Sequence, residues 1–363
     1  AAYGAESFLS IDAMPKALSS GQTPFRDNCY WSFWNRVTNE PPADPNVFAA
    51  AVVGLVQRLV LGSGGEPGRK VRYFEFWNEP EGNFWDSTND PDHAIFYTTA
   101  QATLTALAQW RASSNHPELR FGFAGFAGYT TAINAIQKFD AMSPPVPLDF
   151  LSFHAYDTDP IGVANAVESV VAAVKATKNY ANVETALTEW GPGQDIEHND
   201  DSRLDPNEAY AHSIDPALHA ATALARAATA GLDHAHHVFF WDFWPFRIRG
   251  LFQNDLQTRP QYWAFRMLTT MIGSGGNHIL PVTSGGASDS LIVLATQDGG
   301  GHVRVLLVNR TTTSQIARVN LGSTAGTPSA VQLYDDPNGV IQPGTSAGDT
   351  VTVPGQAIVL VDF

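Results

Sequence analysis

Two glutamates in this sequence stand at the ends of short apolar runs. The run 71–77 leads into Glu79, within Trp-Asn-Glu-Pro at 77–80, and the run 184–189 ends in Glu189. Two carboxyl groups that face one another can hydrolyse a glycosidic bond, because one protonates the leaving oxygen and the other attacks or activates water. The alternative for either glutamate is an ion pair at the protein surface.

Short apolar runs alternate with alanine-rich segments of helical period as far as about residue 273, which indicates βα units and a parallel sheet. The predicted strands are 6–11, 71–77, 120–126, 149–156, 184–189 and 237–243. The predicted helices are 46–61, 93–113, 131–141, 163–177, 218–230 and 262–272. In a βα barrel, catalytic groups lie at the carboxyl ends of the strands, where Glu79 and Glu189 are expected.

The character of the sequence changes after residue 273. Short apolar strands alternate there with turn signals such as Asp-Gly-Gly-Gly at 298–301 and Pro-Asn-Gly at 337–339. This pattern predicts antiparallel strands and a C-terminal β-sandwich. We therefore expect a catalytic domain over 1–274 and an accessory domain over 275–363. Asn309 begins an Asn-Arg-Thr glycosylation sequon in this second part.

Charge and composition exclude several function classes. The 36 acidic residues outnumber the 21 basic ones, and the resulting field repels nucleic acid and anionic lipid surfaces. The longest apolar run, 48–56, is far shorter than the roughly 20 residues that span a bilayer. We expect no nucleic acid or membrane partner. No signal peptide is recognisable, and Cys29 is the single cysteine, so the compartment, secreted or cytoplasmic, stays open.

The two glutamate motifs resemble those of the retaining glycoside hydrolases of clan A, which are (β/α)8 barrels. In that clan the acid/base glutamate follows an asparagine at the end of strand four, and the nucleophile ends strand seven. The chain is similar more narrowly to family 39, whose members include β-xylosidases. The motifs that carry this likeness are Met-Pro at 14–15, Ser-Phe-His-Ala-Tyr at 152–156, Gly-Leu-Phe at 250–252 and Arg-Pro-Gln-Tyr-Trp-Ala-Phe at 259–265.

The resemblance implies that Glu79 is the acid/base and Glu189 the nucleophile. It also implies that Asn78 hydrogen-bonds the sugar 2-hydroxyl, a contact that strengthens as positive charge develops at the anomeric carbon. Glu79 must then be protonated while Glu189 is ionised. The negative charge of Glu189 favours the proton on Glu79 until glycosylation removes that charge.

Residues 150, 152, 154 and 156 alternate along one predicted strand, so His154 and Tyr156 share a face with Phe150 and point into the barrel mouth if Phe150 faces the core. Tyr156 is expected to donate a hydrogen bond to Glu189; a buried tyrosine bonded to backbone is the alternative. His154 either binds a sugar hydroxyl or is a structural hydrogen-bonding residue. Glu75 lies deeper than Glu79 and is expected to need buried polar partners.

Other candidates for sugar contact lie near the predicted rim. Trp241 and Trp244 follow the last predicted strand, and sugars present C–H faces that stack on aromatic rings. One of them is expected to form the floor of the subsite for the cleaved sugar, with core packing as the alternative. Asp12 ends the first strand, where a substrate hydroxyl or a local ion pair would engage it.

We expect no cofactor and no metal. Three histidines between 234 and 237 resemble a cluster, but alternation along a strand places His236 and His237 on opposite faces. The acidic run 195–201 lacks the glycine and closing glutamate of an EF-hand loop, and a solvated lid is the simpler interpretation.

The strand count is short for a (β/α)8 barrel. Glu79 closes the second predicted strand instead of the fourth, and Glu189 the fifth instead of the seventh. The segment before residue 70 is too short for three βα units of about 30 residues each. The sequence therefore predicts a barrel that lacks its first two βα units, with the open edge filled by upstream residues or covered by self-association.

The leading hypothesis is a retaining glycosidase that acts on β-linked glycosides, with xylosides as the first choice of substrate. Another clan A glycosidase, specific for glucosides or arabinosides, is the nearest alternative. The rival of another class is a non-catalytic carbohydrate-binding protein with an incomplete barrel, and the presence of both glutamates argues against it.

Overall fold

The structure is a computed structural model. It describes residues 7–12, 14–21, 37–63, 66–68, 71–82, 84–193, 206–238, 240, 250–253, 255–272, 277–283, 289–321, 326–337 and 339–363.

Helices and parallel strands dominate the first part of the chain and short antiparallel strands the last. The elements up to residue 191 are β1 (Ser7–Ile11), β2 (Met14–Pro15), β3 (Val37–Thr38), α1 (Pro45–Leu61), β4 (Gly62–Ser63), β5 (Glu66–Pro67), β6 (Val71–Phe76), α2 (Ala94–Ser114), β7 (Arg120–Phe126), α3 (Tyr129–Asp140), β8 (Phe150–Tyr156), α4 (Pro160–Lys175) and β9 (Glu184–Gly191). They are followed by α5 (Pro206–Ala211), α6 (Asp215–Ala230), β10 (His234–Ala235), α7 (Pro260–Ile272), β11 (His278–Leu280), β12 (Leu291–Gln297), β13 (Val303–Asn309), β14 (Gln315–Arg318), β15 (Ala330–Tyr334), β16 (Gln342–Pro343), β17 (Ser346–Ala347), β18 (Thr350–Val353) and β19 (Ala357–Asp362).

The last strand of the parallel region lies elsewhere than the sequence predicted. Gly231, with φ 91°, ends α6, and the chain enters β10 at His234. This strand lies just before the predicted strand 237–243. Residues 239 and 241–243 lie outside the described part of the chain.

Six strands form one sheet in the order β1-β6-β7-β8-β9-β10. The pairs β1 with β6, β6 with β7 and β7 with β8 are parallel, as βα units require. The helices that separate these strands in sequence confirm the predicted α/β class. The absence of two βα units and self-association at the β1 edge stay predictions.

The chain divides into two compact units. Unit 1 comprises Ala1–His154 and Ser169–Thr188, and unit 2 comprises Ala155–Glu168 and Glu189–Phe363. The division passes through β8 and β9, so each of these strands starts in unit 1 and ends in unit 2. The predicted boundary near residue 275 stays a prediction.

The inward side of the sheet in unit 1 is built in layers. Tyr73, Phe150 and Ala186 form a buried apolar cluster with Phe8, whose ring lies 4.8 Å from that of Phe150. Gly122 leaves room for this layer, because a Cβ there would collide with the Phe150 ring. Two residues further along the strands, the same face becomes polar, as the two-residue period requires.

The other side of β6 packs against helices. Phe76 is 2% exposed, and its ring centroid lies 6.2 Å from that of Phe48 in α1 and 6.1 Å from that of Phe96 in α2. Truncation of such a buried phenylalanine typically costs about 3–5 kcal/mol. The aromatic residues of β6 thus fix the two helices on the strand that leads to Glu79.

Helix α1 illustrates how the sequence sets an element. Its start is capped by Asp44, whose side chain accepts the Asn46 N–H at 2.8 Å, and Pro45 occupies the first turn. Helical spacing places its apolar residues on one side. The buried residues are Phe48, Ala49, Val52 and Val56.

Unit 2 contains two antiparallel sheets in its described part, which confirm the antiparallel strands predicted after residue 273. Their strand orders are β11-β12-β13-β19-β15-β16 and β14-β18-β17. They share one apolar cluster, to which Val351 and Val353 of β18 contribute from the smaller sheet. The cluster members from the larger sheet are Ala295, Val305, Leu307, Val359 and Val361.

Asn309, the first residue of the sequon, is fully buried at the end of β13. Its Nδ2 donates to the carbonyls of Thr313 at 2.8 Å and Pro354 at 2.8 Å, while its Oδ1 accepts from Thr311 N–H at 3.0 Å. A glycan on Nδ2 would break these bonds. The asparagine is therefore a structural tie between two turns in this fold.

No helix in the part of the chain that the structure describes is both long and apolar enough to cross a bilayer.

Replacement of Asn309 by alanine should lower the free energy of unfolding by about 1–3 kcal/mol or more, because several buried carbonyl groups lose their donor. Asn320→Ala is the matched control, since Asn320 is exposed, and it should change stability by less than about 0.5 kcal/mol. Urea denaturation measures both. Equal stability of the two variants would contradict the structural role of Asn309.

Candidate active site

Glu79 lies on a tight loop after β6. Trp77 and Glu79 both have left-handed backbone angles, with φ of 75° and 40°. Such angles are strained for residues other than glycine and persist where the surroundings enforce them. Two backbone bonds do so here: Trp77 N–H donates to Ile11 at 2.9 Å, and Glu79 N–H donates to Gly125 at 2.9 Å.

The Trp77 side chain anchors this loop. It is fully buried, its Nε1 donates to the Phe84 carbonyl at 3.1 Å, and its ring stands edge-on to Trp85 at 5.2 Å. Asn78 and Glu79 are half-buried. The loop thus fixes one large apolar side chain in the core and leaves the asparagine and the acid accessible.

His154 bonds directly to Glu79. Its Nδ1 lies 2.7 Å from Glu79 Oε1, the imidazole is 1% exposed, and the glutamate side chain is 26% exposed. One carboxyl oxygen is therefore engaged by the protein, and Oε2 is left for chemistry. Of the two roles that the sequence left open for His154, the structure shows hydrogen bonding to a neighbouring side chain.

Gly125 in β7 connects the polar groups around Glu79. Its φ is 44°, and a Cβ there would lie 3.2 Å from both Asn78 Oδ1 and His154 Nε2. Its N–H donates to Ser152 Oγ at 2.9 Å, while its carbonyl accepts the Glu79 N–H. A side chain at this position would crowd Asn78 and His154. Sequence reasoning missed Gly125.

Glu75 has the buried polar partners that the sequence predicted. It is 3% exposed, and Thr188 Oγ1 donates to its Oε1 at 3.1 Å. Burial raises the pKa of Glu75, and a hydrogen bond with Ser152 and the charge of His154 oppose this rise. The sequence could have indicated Ser152 as a partner of Glu75, because Ser152 lies on the same face of β8 as His154.

A third carboxyl group, Glu81, lies just beyond Glu79 and was not recognised from the sequence. Its Oε1 accepts the Gly128 N–H at 3.0 Å, at the start of α3. Burial raises the pKa of Glu81, and the negative charge of Glu79 acts in the same direction. Glu81 therefore ties the loop after β6 to the loop after β7.

In unit 2, Tyr156 and Glu189 form a pair. The Tyr156 hydroxyl donates to Glu189 Oε2 at 2.7 Å, and both residues are half-buried. This is the hydrogen bond that the sequence predicted from strand alternation. A phenol donor stabilises a carboxylate and fixes its orientation.

The end of β9 is held by groups behind Glu189. Trp190 is 1% exposed and stacks on His219 of α6, with ring centroids 6.4 Å apart. His219 Nε2–H donates to the Asp157 carbonyl at 2.8 Å, and Asp157 N–H donates to Gly191 at 3.1 Å. Burial lowers the pKa of His219 to about 4, so it is a neutral donor here.

The remaining predicted residues are less informative. Asp12 follows β1 and is exposed. Trp241, Trp244 and the acidic run 195–201 lie outside the described part of the chain, so their assigned roles stay predictions. The second Asn-Glu-Pro sequence, at 39–41, has a structural contact, because Ser19 Oγ donates to Glu40 Oε2 at 3.3 Å.

Solved structures with a similar fold include several glycoside hydrolases. A glucosidase from Croceicoccus marinus superposes with a TM-score of 0.63 at 17% identity, covering 99% of this chain and 79% of that one. CelM2, a bifunctional glucanase-xylanase from a metagenome library, gives 0.64 at 15% identity, covering 99% and 82%. At such identities the likeness shows the fold alone, that of clan A barrel glycosidases.

Sequence comparison is more specific. A β-xylosidase from Caldicellulosiruptor saccharolyticus is 28% identical over 197 residues, which are 52% of this chain and 36% of that relative, so the match spans about a third of the relative's length. The model for glycosyl hydrolases family 39 matches residues 2–268, which include both glutamates and their partners on β8. The chain therefore belongs to glycosyl hydrolase family 39.

Proposed function

We propose that this protein is a retaining glycosidase in which Glu79 is the acid/base and Glu189 the nucleophile. One observation carries the assignment. His154 and Tyr156, two residues apart on the same face of β8, bond Glu79 and Glu189 respectively, each at 2.7 Å. Family membership adds the expectation of glycosidic-bond hydrolysis.

In the first step, Glu189 attacks the anomeric carbon and the bond to the leaving oxygen breaks. The Tyr156 hydroxyl bonds Oε2 of Glu189 and orients the carboxylate for this attack. Glu79 gives its proton to the departing oxygen from Oε2, since His154 engages Oε1. The product is a glycosyl ester of Glu189 and a free alcohol.

In the second step, the Glu79 carboxylate takes a proton from water, the hydroxyl attacks the anomeric carbon, and the ester bond to Glu189 breaks. Two inversions give net retention. Direct attack requires the two carboxyl groups to stand about 5–5.5 Å apart, whereas inversion through water needs about 6.5–9.5 Å. Asn78 is assigned to the sugar 2-hydroxyl, and Asp12, Trp241 and Trp244 to further sugar contacts.

Xylosides are the proposed substrate class, because the curated relative is named a β-xylosidase. Glucosides are the next candidates, since structures with this fold include a glucosidase and a glucanase-xylanase. The accessory part of the chain is proposed to be a β-sandwich over 275–363.

A panel of aryl β-xyloside, β-glucoside and α-arabinofuranoside substrates tests the proposed class, and the xyloside should give the highest kcat/KM. With the β-xyloside, NMR of the first-formed sugar should show the β-anomer, because retention follows from the covalent intermediate. The α-anomer as first product would overturn the two-step mechanism, and a higher kcat/KM on another glycoside would reassign the substrate.

Glu189→Gln should reduce turnover of every glycoside to below about one thousandth, because no covalent intermediate can form. Glu184→Gln is the matched control: this half-buried glutamate begins the same strand and should leave turnover nearly unchanged. Steady-state rates on the best aryl glycoside decide the point. Comparable activity of both variants would end the assignment of Glu189.

Glu79→Gln should slow the first step by about 10²-fold or more for poor leaving groups, which need protonation, and spare activated ones. Azide should restore turnover of activated substrates, since it attacks the glycosyl ester without a base. Glu118→Gln, at an exposed position, is the control. Equal losses for good and poor leaving groups in the first step would show that Glu79 is not the acid.

A further inference from the structure

Glu75 is an ionisable side chain that the proposed mechanism leaves unused. It stands in the middle of β6, 3% exposed, one layer below Glu79. Its hydrogen-bond partners are hydroxyl groups, those of Ser152, Ser10 and Thr188, and the side chain whose charge acts on it is His154.

A buried carboxyl group among hydroxyls is more stable neutral than charged. Hydroxyl donors offset only part of the free energy lost when a carboxylate leaves water. Burial accordingly raises the pKa of Glu75, against the opposing effects of Ser152, His154 and Thr188. The site therefore shifts the equilibrium toward the protonated acid, which can itself donate a hydrogen bond.

The imidazole of His154 links this buried acid to Glu79. Its Nδ1 lies 2.7 Å from Glu79 Oε1. Its Nε2 and the Glu75 carboxyl carbon approach the same point beside Gly125, lying 3.2 and 3.5 Å from the place where a Cβ would stand. One ring nitrogen thus engages Glu79, while the other lies on the side of Glu75.

The charges of Glu75 and His154 influence one another. An ionised Glu75 would favour the imidazolium, and a cation 2.7 Å from Glu79 would favour its carboxylate, so the acid would lose its proton. A neutral Glu75 favours a neutral imidazole. Glu81 of the loop after β6 also acts on this histidine, and burial raises its pKa too, which weakens its pull toward the imidazolium. The other carboxyl group of the proposed mechanism, that of Glu189, lies near the end of β9.

We propose that Glu75 is a positioning residue for the acid/base that acts through His154: its neutral carboxyl keeps the imidazole uncharged, so that Glu79 holds the proton which the leaving group needs. With Nδ1 protonated, the same imidazole then donates to the Glu79 carboxylate left after proton transfer. The inference rests on the proposed function, since it presupposes Glu79 as the acid.

Two substitutions of similar size separate charge from shape. Glu75→Gln is permanently neutral and can still donate, so both leaving-group classes should keep their first-step rates. Glu75→Leu is neutral but offers no polar group on the Nε2 side of His154, so the imidazole is less well held and the rate with poor leaving groups should fall about tenfold or more. The activated substrates should be spared in both variants. Single-turnover kinetics on paired aryl glycosides measures these rates.

Spectroscopy tests the protonation states of Glu75 and His154 directly, without the Glu75→Leu variant. In a Glu79→Gln background at neutral pH, the infrared C=O band of a protonated carboxyl should weaken when Glu75→Gln is added. Nitrogen NMR of His154 in the otherwise native chain should show a neutral ring with Nδ1 protonated. An unchanged carboxyl band or an imidazolium at neutral pH would overturn the proposal.

The outcomes also separate this proposal from the function on which it rests. If Glu79→Gln shows the leaving-group dependence of an acid while Glu75→Leu slows both classes equally, Glu75 is merely structural and the glycosidase assignment stands. A large loss in Glu75→Gln would mean that an ionised Glu75 is required, which contradicts the proposal. If Glu79→Gln lacks leaving-group dependence, the proposed function itself fails.

Discussion

The two-residue period of β8 is the constraint on which the rest of the site depends. Four alternate residues of β8 share the inward face. Phe150 packs in an aromatic layer and Ser152 lies in a buried polar layer. His154 bonds Glu79, and Tyr156 bonds Glu189. A register slip of one residue would turn all four toward the helices. The apolar anchor at Phe150 therefore fixes where the polar residues further along the strand must stand.

The buried polar layer around Glu75 opposes the stability of the fold. Burial of a carboxyl group is unfavourable, and hydroxyl partners compensate only in part. The aromatic layers on both sides of β6 supply the stability that this layer lacks, since Phe76 alone packs against two helices. Polar groups retained at such a depth are typical of functional sites, where stability gives way to function.

The sequence was informative where a single period or a local motif determines the structure. Strand 120–126 matches β7, and alternation placed Tyr156 on the face from which its hydroxyl bonds Glu189. It failed where the outcome depends on contacts between strands. The role of Gly125 follows from the shift in register between β7 and β8, which no property of one segment encodes.

The Trp-Asn-Glu-Pro motif at 77–80 fixes the position of Glu79 through contacts at both of its ends. Trp77 has its indole in the core, and this burial offsets the strain of two left-handed residues. The Pro80 carbonyl lies 3.0 Å from His93 Nε2, which ties the end of the motif to the start of α2. Between these two anchors, the backbone N–H of Glu79 bonds the next strand. The glutamate is thus held by its backbone from both sides, and in the described part of the chain its side chain bonds His154 through Oε1.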